Sequence, residues 1–189
     1  MSEVQRTTVG YPGGLSARYR WGGSGSADSV FGLSEGGGAL TDHVELAGGD
    51  PVRMCRAELR AEGPLGQWTA RFASPIFDAP EGLLWDTQMQ LVVKYGFRVY
   101  GLAARTGELI WSHLSGTPVV AVLGSPRIDH VIVQSEVETV AIGPAGEPRW
   151  RVAQSDVVAA AEMLGGTLTL TSYGGDVAAL DPATGQPLR

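Results

Sequence analysis

Three stretches of this chain repeat one pattern at a fixed interval, and that interval limits the fold more than any other feature. Val99–Trp111 (VYGLAARTGELIW), Thr139–Trp150 (TVAIGPAGEPRW) and Val177–Arg189 (VAALDPATGQPLR) each pass from an apolar strand into a glycine turn. The turn glycines Gly107, Gly146 and Gly185 fall at steps of 39 residues. Upstream segments keep step as well: LVVKYGF from Leu91, VIVQSEV from Val131 and TLTSYGG from Thr169 hold equivalent places. A period of 20–50 residues marks a solenoid, a propeller or an array. Each unit resolves into four short strands; in the third copy these are Pro118–Val122, Ile128–Gln134, Glu138–Ile142 and Arg149–Val152. Four antiparallel strands in such a unit make one propeller blade, whereas solenoid rungs are far shorter.

Two further signals agree. The chain has 27 glycines in 189 residues, about twice the usual share of about 7%, and they sit between short apolar runs as turns. Helical periodicity with caps is absent; the best candidate, Asp156–Leu164, opens Val-Val and ends in a glycine pair, so it reads as a strand. Trp111 and Trp150 each follow their turn glycine by four residues, Arg189 holds the third such place, and Trp68 is an earlier, degenerate copy. An aromatic at one fixed position per unit buries about 150–250 Å² and wedges neighbouring blades together.

The sequence therefore predicts an all-β chain, a β-propeller-like array of four-stranded antiparallel blades. About four units fall approximately at 27–73, 74–113, 114–153 and 154–189. Residues 1–26 form an N-terminal segment, in which Val4–Tyr11 has the β-branched character of a closing strand. Because the last unit holds only the start of its outer strand, residues within Glu3–Arg20 are expected to pair with the Leu188 end or with the sheet beside it, or else a second molecule to cover that edge.

VYGLAARTGELIW and VAALDPATGQPLR resemble the PQQ-like β-propeller repeat, whose pattern is Val-Tyr-Ala-Leu-Asp-x-x-Thr-Gly-x-x-x-Trp. The resemblance covers roughly Glu81–Arg189 and weakens in the third unit, which lacks the Asp and the Thr. It implies a propeller fold, shared with WD40-like domains. The repeat occurs in quinoprotein dehydrogenases, in the lipoprotein of outer-membrane assembly and in non-enzymatic scaffolds. Those dehydrogenases carry a vicinal cysteine pair and a calcium site of Glu, Asn and Asp, whereas this chain has one cysteine and no asparagine. No lipobox is present either, so neither of the first two readings is expected, and no cofactor is expected.

Composition narrows the partners. A net charge of −6 and a pI near 5.0 argue against nucleic acid. Arg53, Arg56, Arg60 and Arg71 form a local basic group best read as solvated outward strand positions. Without an apolar leader or spanning run the chain reads as cytoplasmic, with no membrane partner. The histidines His43, His113 and His130 lack metal-site spacing, and Gly22–Ser29 lacks the lysine of a phosphate loop. Cys55 reads as an inert buried thiol and Asp86 as a turn aspartate.

No catalytic constellation emerges, which favours a non-catalytic binding or scaffold module that presents one loop face or an open sheet edge to a protein partner. On a propeller, the connections between second and third strands and those between blades emerge at one face. That face would carry Lys94, Phe97, Arg98, His113, Glu136, Glu138, Gln154, Asp156, Tyr173 and Asp176. Two other readings stay open: a small-ligand, carbohydrate or enzymatic pocket at the central channel, and a subdomain completed by self-association into a homo-oligomer.

Overall fold

The structure is a computed structural model that describes residues 3–26, 30, 40–42 and 53–189, with the backbone alone at 40–42. His43, the stretch 27–29 of the glycine-rich segment and most of 31–52 lie outside the described residues. Among the described residues the ordered elements are strands and two 3-10 turns, Pro12–Gly14 and Asp86–Gln88.

Among the described residues four sheets, antiparallel except for one added strand, follow one another along the sequence. The first combines β1 (Gln5–Gly10), β2 (Ser16–Gly22), β4 (Cys55–Gly63) and β5 (Gly66–Ser74) in that spatial order. The short β3 (Leu40–Asp42) adds parallel to β5. The second holds β6 (Glu81–Trp85), β7 (Gln90–Tyr95), β8 (Arg98–Ala103) and β9 (Leu109–Leu114) as a meander. The third repeats it with β10 (Val119–Leu123), β11 (Val131–Ser135), β12 (Glu138–Ile142) and β13 (Pro148–Ala153). The fourth has β14 (Val158–Leu164), β15 (Thr167–Ser172) and β16 (Val177–Leu180), and a Leu180–Pro187 bridge begins a fourth strand.

Residue chemistry explains which strands lie deepest. Every residue of β7, QLVVKY, is buried, as suits a β-branched strand with a sheet on each side. β15 alternates: Leu168 and Leu170 are buried while Thr167, Thr169 and Thr171 face the other way, the period of 2 expected for a sheet covered on one face.

The core is divided between the sheets. Ala57, Leu59, Trp68 and Phe72 of the first sheet meet Leu91, Val93, Tyr95 and Tyr100 of the second. The Phe72 and Tyr100 rings lie 4.9 Å apart between centroids. Trp85, Val92, Val99 and Trp111 meet Val119, Val131, Val133 and Val140 of the third. Ile132 meets Val158, Leu168, Leu170 and Leu180 of the fourth. Each sheet is thus one blade packed face to face on the next, the all-β propeller architecture that the repeat predicts.

Two expectations need correction. Glu3–Arg20 does not pair with the Leu188 end: β1 pairs with β2 from Gln5–Trp21 to Gly10–Ser16, and β2 pairs with β4. The Leu188 amide instead donates to Ala179 O within the fourth sheet. The N-terminal strands therefore complete the first blade, and no strand ladder joins the first and fourth sheets among the described residues. Nor is the outward arginine face of the first sheet simply solvated. Glu58 is 1% exposed there, receiving Arg60 Nε at 2.7 Å and Arg71 Nε at 3.3 Å, and Arg56 is 8% exposed. A buried carboxylate is tolerated because two guanidinium groups share its charge.

Candidate functional site

The turns at the two ends of the sheets do different work. At one end lie the turns from third to fourth strand that carry Gly107, Gly146 and Gly185, with φ of 73°, 87° and 73°. All three glycines lie against the tryptophan of the preceding sheet. A β-carbon on Gly107 would stand 2.4 Å from the Trp68 ring, one on Gly146 2.5 Å from Trp111 Cβ, and one on Gly185 2.5 Å from the Trp150 ring. Glycine is required there by backbone and neighbour together.

A hydrogen bond to a turn carbonyl accompanies each of these contacts. Trp68 Nε1 donates to Ala104 O at 3.0 Å. In the next interface Trp111 Nε1 donates to Gln90 Oε1 at 2.9 Å, and Gln90 Nε2 donates onward to Pro144 O at 2.8 Å. In the last, His130 Nε2 bonds Pro182 O at 2.8 Å while its ring stands edge-on to Trp150, 6.0 Å between centroids. His130 is thus committed to architecture.

The same end holds a cleft of about 200 Å³ between the first two sheets, lined among others by Leu15, Pro64, Leu65, Leu84, Met89 and Arg105. Met89 adopts φ of 51°, the one positive φ outside glycine among the described residues. Asp86 begins the adjoining 3-10 turn and its carbonyl accepts Met89 N at 3.0 Å, as a turn aspartate should.

The opposite end carries the second-to-third-strand turns and the links between sheets, tied by backbone hydrogen bonds. Ser115 N donates to Phe97 O, Val119 N to Gly96 O, Glu136 N to Pro118 O, Gln154 N to Val137 O, Val158 N to Glu136 O and Tyr173 N to Val157 O, all at 2.7–3.1 Å. This belt fixes the loops on a rigid frame, the setting in which binding residues are usually found.

The ten sequence candidates all fall at this end, but their environments differ. Lys94 is 4% exposed and donates to Asp78 Oδ2 at 3.1 Å and Oδ1 at 3.3 Å, so it braces the link between the first two sheets and offers no free cation. Asp78 Oδ2 also accepts Gly96 N at 2.9 Å. Phe97 and Arg98 are half-buried. Glu138 pairs with Arg151 at 3.2 Å, and Gln154 Nε2 donates to Thr139 Oγ1 at 2.8 Å within a buried amide–hydroxyl network that includes Gln134. His113 is half-buried. Burial, helped by Arg151 and Arg98 and opposed by Glu138, holds its imidazole below the usual value. Glu136 is half-buried, while Asp156, Tyr173 and Asp176 are exposed.

Sequence reasoning missed the apolar members of this end. Phe77 is 55% exposed, Leu114 55%, Val137 39% and Tyr173 76%. Only Tyr173 was a candidate, because an isolated Phe, Leu or Val in a strand-rich sequence reads as core until the register is known. Cys55, by contrast, is where the sequence puts it: it is 6% exposed, and burial pushes its thiol pKa up. Such a thiol is a poor nucleophile.

Residues 96–188 match a family model described as outer membrane protein assembly factor BamB. A search of the curated proteins finds no match. Among solved structures, BamB from Moraxella catarrhalis is similar at 15% identity and a TM-score of 0.55, over 99% of this chain and 65% of that one. The computationally designed Ika8 protein gives 11% and 0.56, over 96% and 59%, and BBS1N in complex with ARL6DN gives 14% and 0.51, over 96% and 52%. The chain spans less than two thirds of each, and at such identities the likeness concerns fold alone. Together with the 39-residue period, the four stacked sheets and the tryptophan–glycine contacts, these matches make the chain a PQQ-like β-propeller repeat protein.

Proposed function

We propose that the protein is a non-catalytic binding or scaffold module that engages a protein partner through the end bearing the second-to-third-strand turns. One observation carries this reading. Phe77, Leu114, Val137 and Tyr173 expose large apolar side chains at this end, from the first inter-sheet link through each later sheet. Exposed aromatic and aliphatic groups on a rigid, hydrogen-bonded frame can anchor an interface without a large ordering cost. The test is to place a photo-crosslinking amino acid at Phe77, Leu114 or Tyr173, with Leu65 and Ile110 as controls, in cells that produce the protein. Discrete adducts from the first three positions alone are expected; adducts from the controls alone, or from none, overturn the reading.

A second reading is supported by the cleft between the first two sheets, where Leu65 is 61% and Met89 41% exposed. At about 200 Å³ it is smaller than the usual 300–1,000 Å³ of a ligand pocket, which places it second. Native mass spectrometry that finds a small molecule retained by the purified protein would reverse the order.

A further inference from the structure

We infer that the partner-facing end of the third and fourth sheets takes a basic, arginine-bearing segment of a protein; the inference rests on the binding-module reading. The starting point is an exposed apolar group. Tyr173 is 76% exposed at the β15–β16 turn, Val177 67% at the start of β16, and Val137 39% at the β11–β12 turn. These turns are joined through one link: Val158 N donates to Glu136 O at 2.7 Å, and Tyr173 N donates to Val157 O at 3.0 Å.

The rim of that group has one sign of charge. Glu136 precedes Val137, Asp156 precedes Val157, and Asp176 precedes Val177. Asp156 Oδ2 would lie 3.5 Å from a β-carbon on Gly174, next to Tyr173, so this carboxylate is beside the aromatic turn. Asp156 Oδ1 accepts Val157 N at 2.7 Å, and Asp176 N donates to Ser172 Oγ at 3.2 Å. Those bonds hold the backbone and leave the charges uncancelled. Segments 134–138, 154–158 and 172–177 contain no lysine or arginine, and of their acids Glu138 alone has a cationic partner among the described residues, Arg151 on β13. Charge complementarity therefore selects a cationic partner, and an exposed tyrosine face selects a guanidinium, which stacks on aromatic rings while its edge bonds carboxylates. Such a rim also steers a basic partner toward the site.

The test uses a fluorescein-labelled decapeptide of alternating arginine and serine, with glutamine in place of arginine as control, followed by fluorescence anisotropy. The native protein should bind the arginine peptide, less tightly as salt rises, and should not bind the glutamine peptide. Replacing Glu136 by Gln, Asp156 by Asn and Asp176 by Asn together should weaken binding about tenfold or more. Tyr173→Ala should weaken it about two- to fivefold. A charge-matched control, Glu3→Gln with Glu108→Gln and Glu162→Gln, should change it less than about twofold, since those side chains lie elsewhere. Circular dichroism checks that each variant is folded. No binding by the native protein, equal loss in the control triple variant, or full binding by Tyr173→Ala overturns the inference. The crosslinking at Phe77 and Leu114 is independent of these carboxylates, so a partner captured there that ignores the triple variant would defeat this inference and leave the binding-module reading standing.

Discussion

The indole of Trp68 in the first sheet lies flat against the position where Gly107 of the second would carry a side chain: a β-carbon there would stand 2.4 Å from ring Cε3. The same indole donates to Ala104 O, three residues before that glycine. Gly107 also has φ of 73°. Gly107→Ala therefore combines a left-handed backbone that disfavours a β-carbon with overpacking of a buried ring. Urea melts should show a loss of about 2–4 kcal/mol. A neutral or stabilised variant would show that the turn relaxes away from the tryptophan.

Gln90 is 4% exposed and joins two blades through its one amide, accepting from Trp111 and donating to Pro144 O. Gln90→Leu keeps the volume and strands both partners. Stability should fall by about 1–3 kcal/mol, the cost of leaving a buried polar group unpaired. Gln90→His, which imitates the third interface with its His130–Pro182 bond, should recover part of that loss in the same melts.

What could be read in the sequence depended on whether a feature recurred. The turn glycines, the tryptophans at Trp111 and Trp150 and all four strands of the third sheet were legible because the 39-residue step places them side by side. Their inter-blade role follows from packing physics alone. The first sheet breaks the step: residues 23–54 separate β2 from β4, so Val4–Tyr11 looked like a spare closing strand when its Gln5–Gly10 is an ordinary blade member. Pairwise chemistry was illegible for a different reason. Nothing in the sequence links Lys94 to Asp78, sixteen residues away across an inter-sheet link, and so a buried brace read as a surface cation.

That brace makes its own prediction. Lys94 has 5% of its side chain exposed against 24% for Asp78. Lys94→Met removes the cation and leaves Asp78 partly covered, with the Gly96 and Ala79 amides as its remaining partners. A loss of about 2–4 kcal/mol is expected, short of the full cost for a wholly buried pair because water still reaches the carboxylate. If Lys94→Met and the double variant with Asp78→Ala prove equally stable to the native chain, the pair carries no structural weight.

His113 gives the stability a pH dependence of known sign. Its folded pKa is lowered by burial first, with Arg151 and Arg98 adding to the effect, against an unfolded value near 6.5. The unfolded chain thus takes up a proton that the folded chain resists. The neutral imidazole supports the fold fully above the unfolded pKa, and stability falls as pH drops from about 7 through that value and on toward the lowered folded one. His113→Gln should flatten this part of the profile relative to the native protein. An unchanged slope would assign the acid sensitivity to other groups.

The central claim is that a tryptophan of one blade and a turn glycine of the next act as a single unit, and a double-mutant cycle on Trp68 and Gly107 tests it most directly. Trp68→Ala alone should cost about 3–5 kcal/mol as a buried aromatic truncated. With the indole gone, the β-carbon of Gly107→Ala meets open space and keeps only its backbone penalty. Measured by denaturant melts in a sulfate buffer that keeps all four proteins folded, the double variant should be more stable than the sum of the singles by about 1–3 kcal/mol. Additivity within about 0.5 kcal/mol would mean that the two residues do not meet, and the inter-blade lock would have to be abandoned.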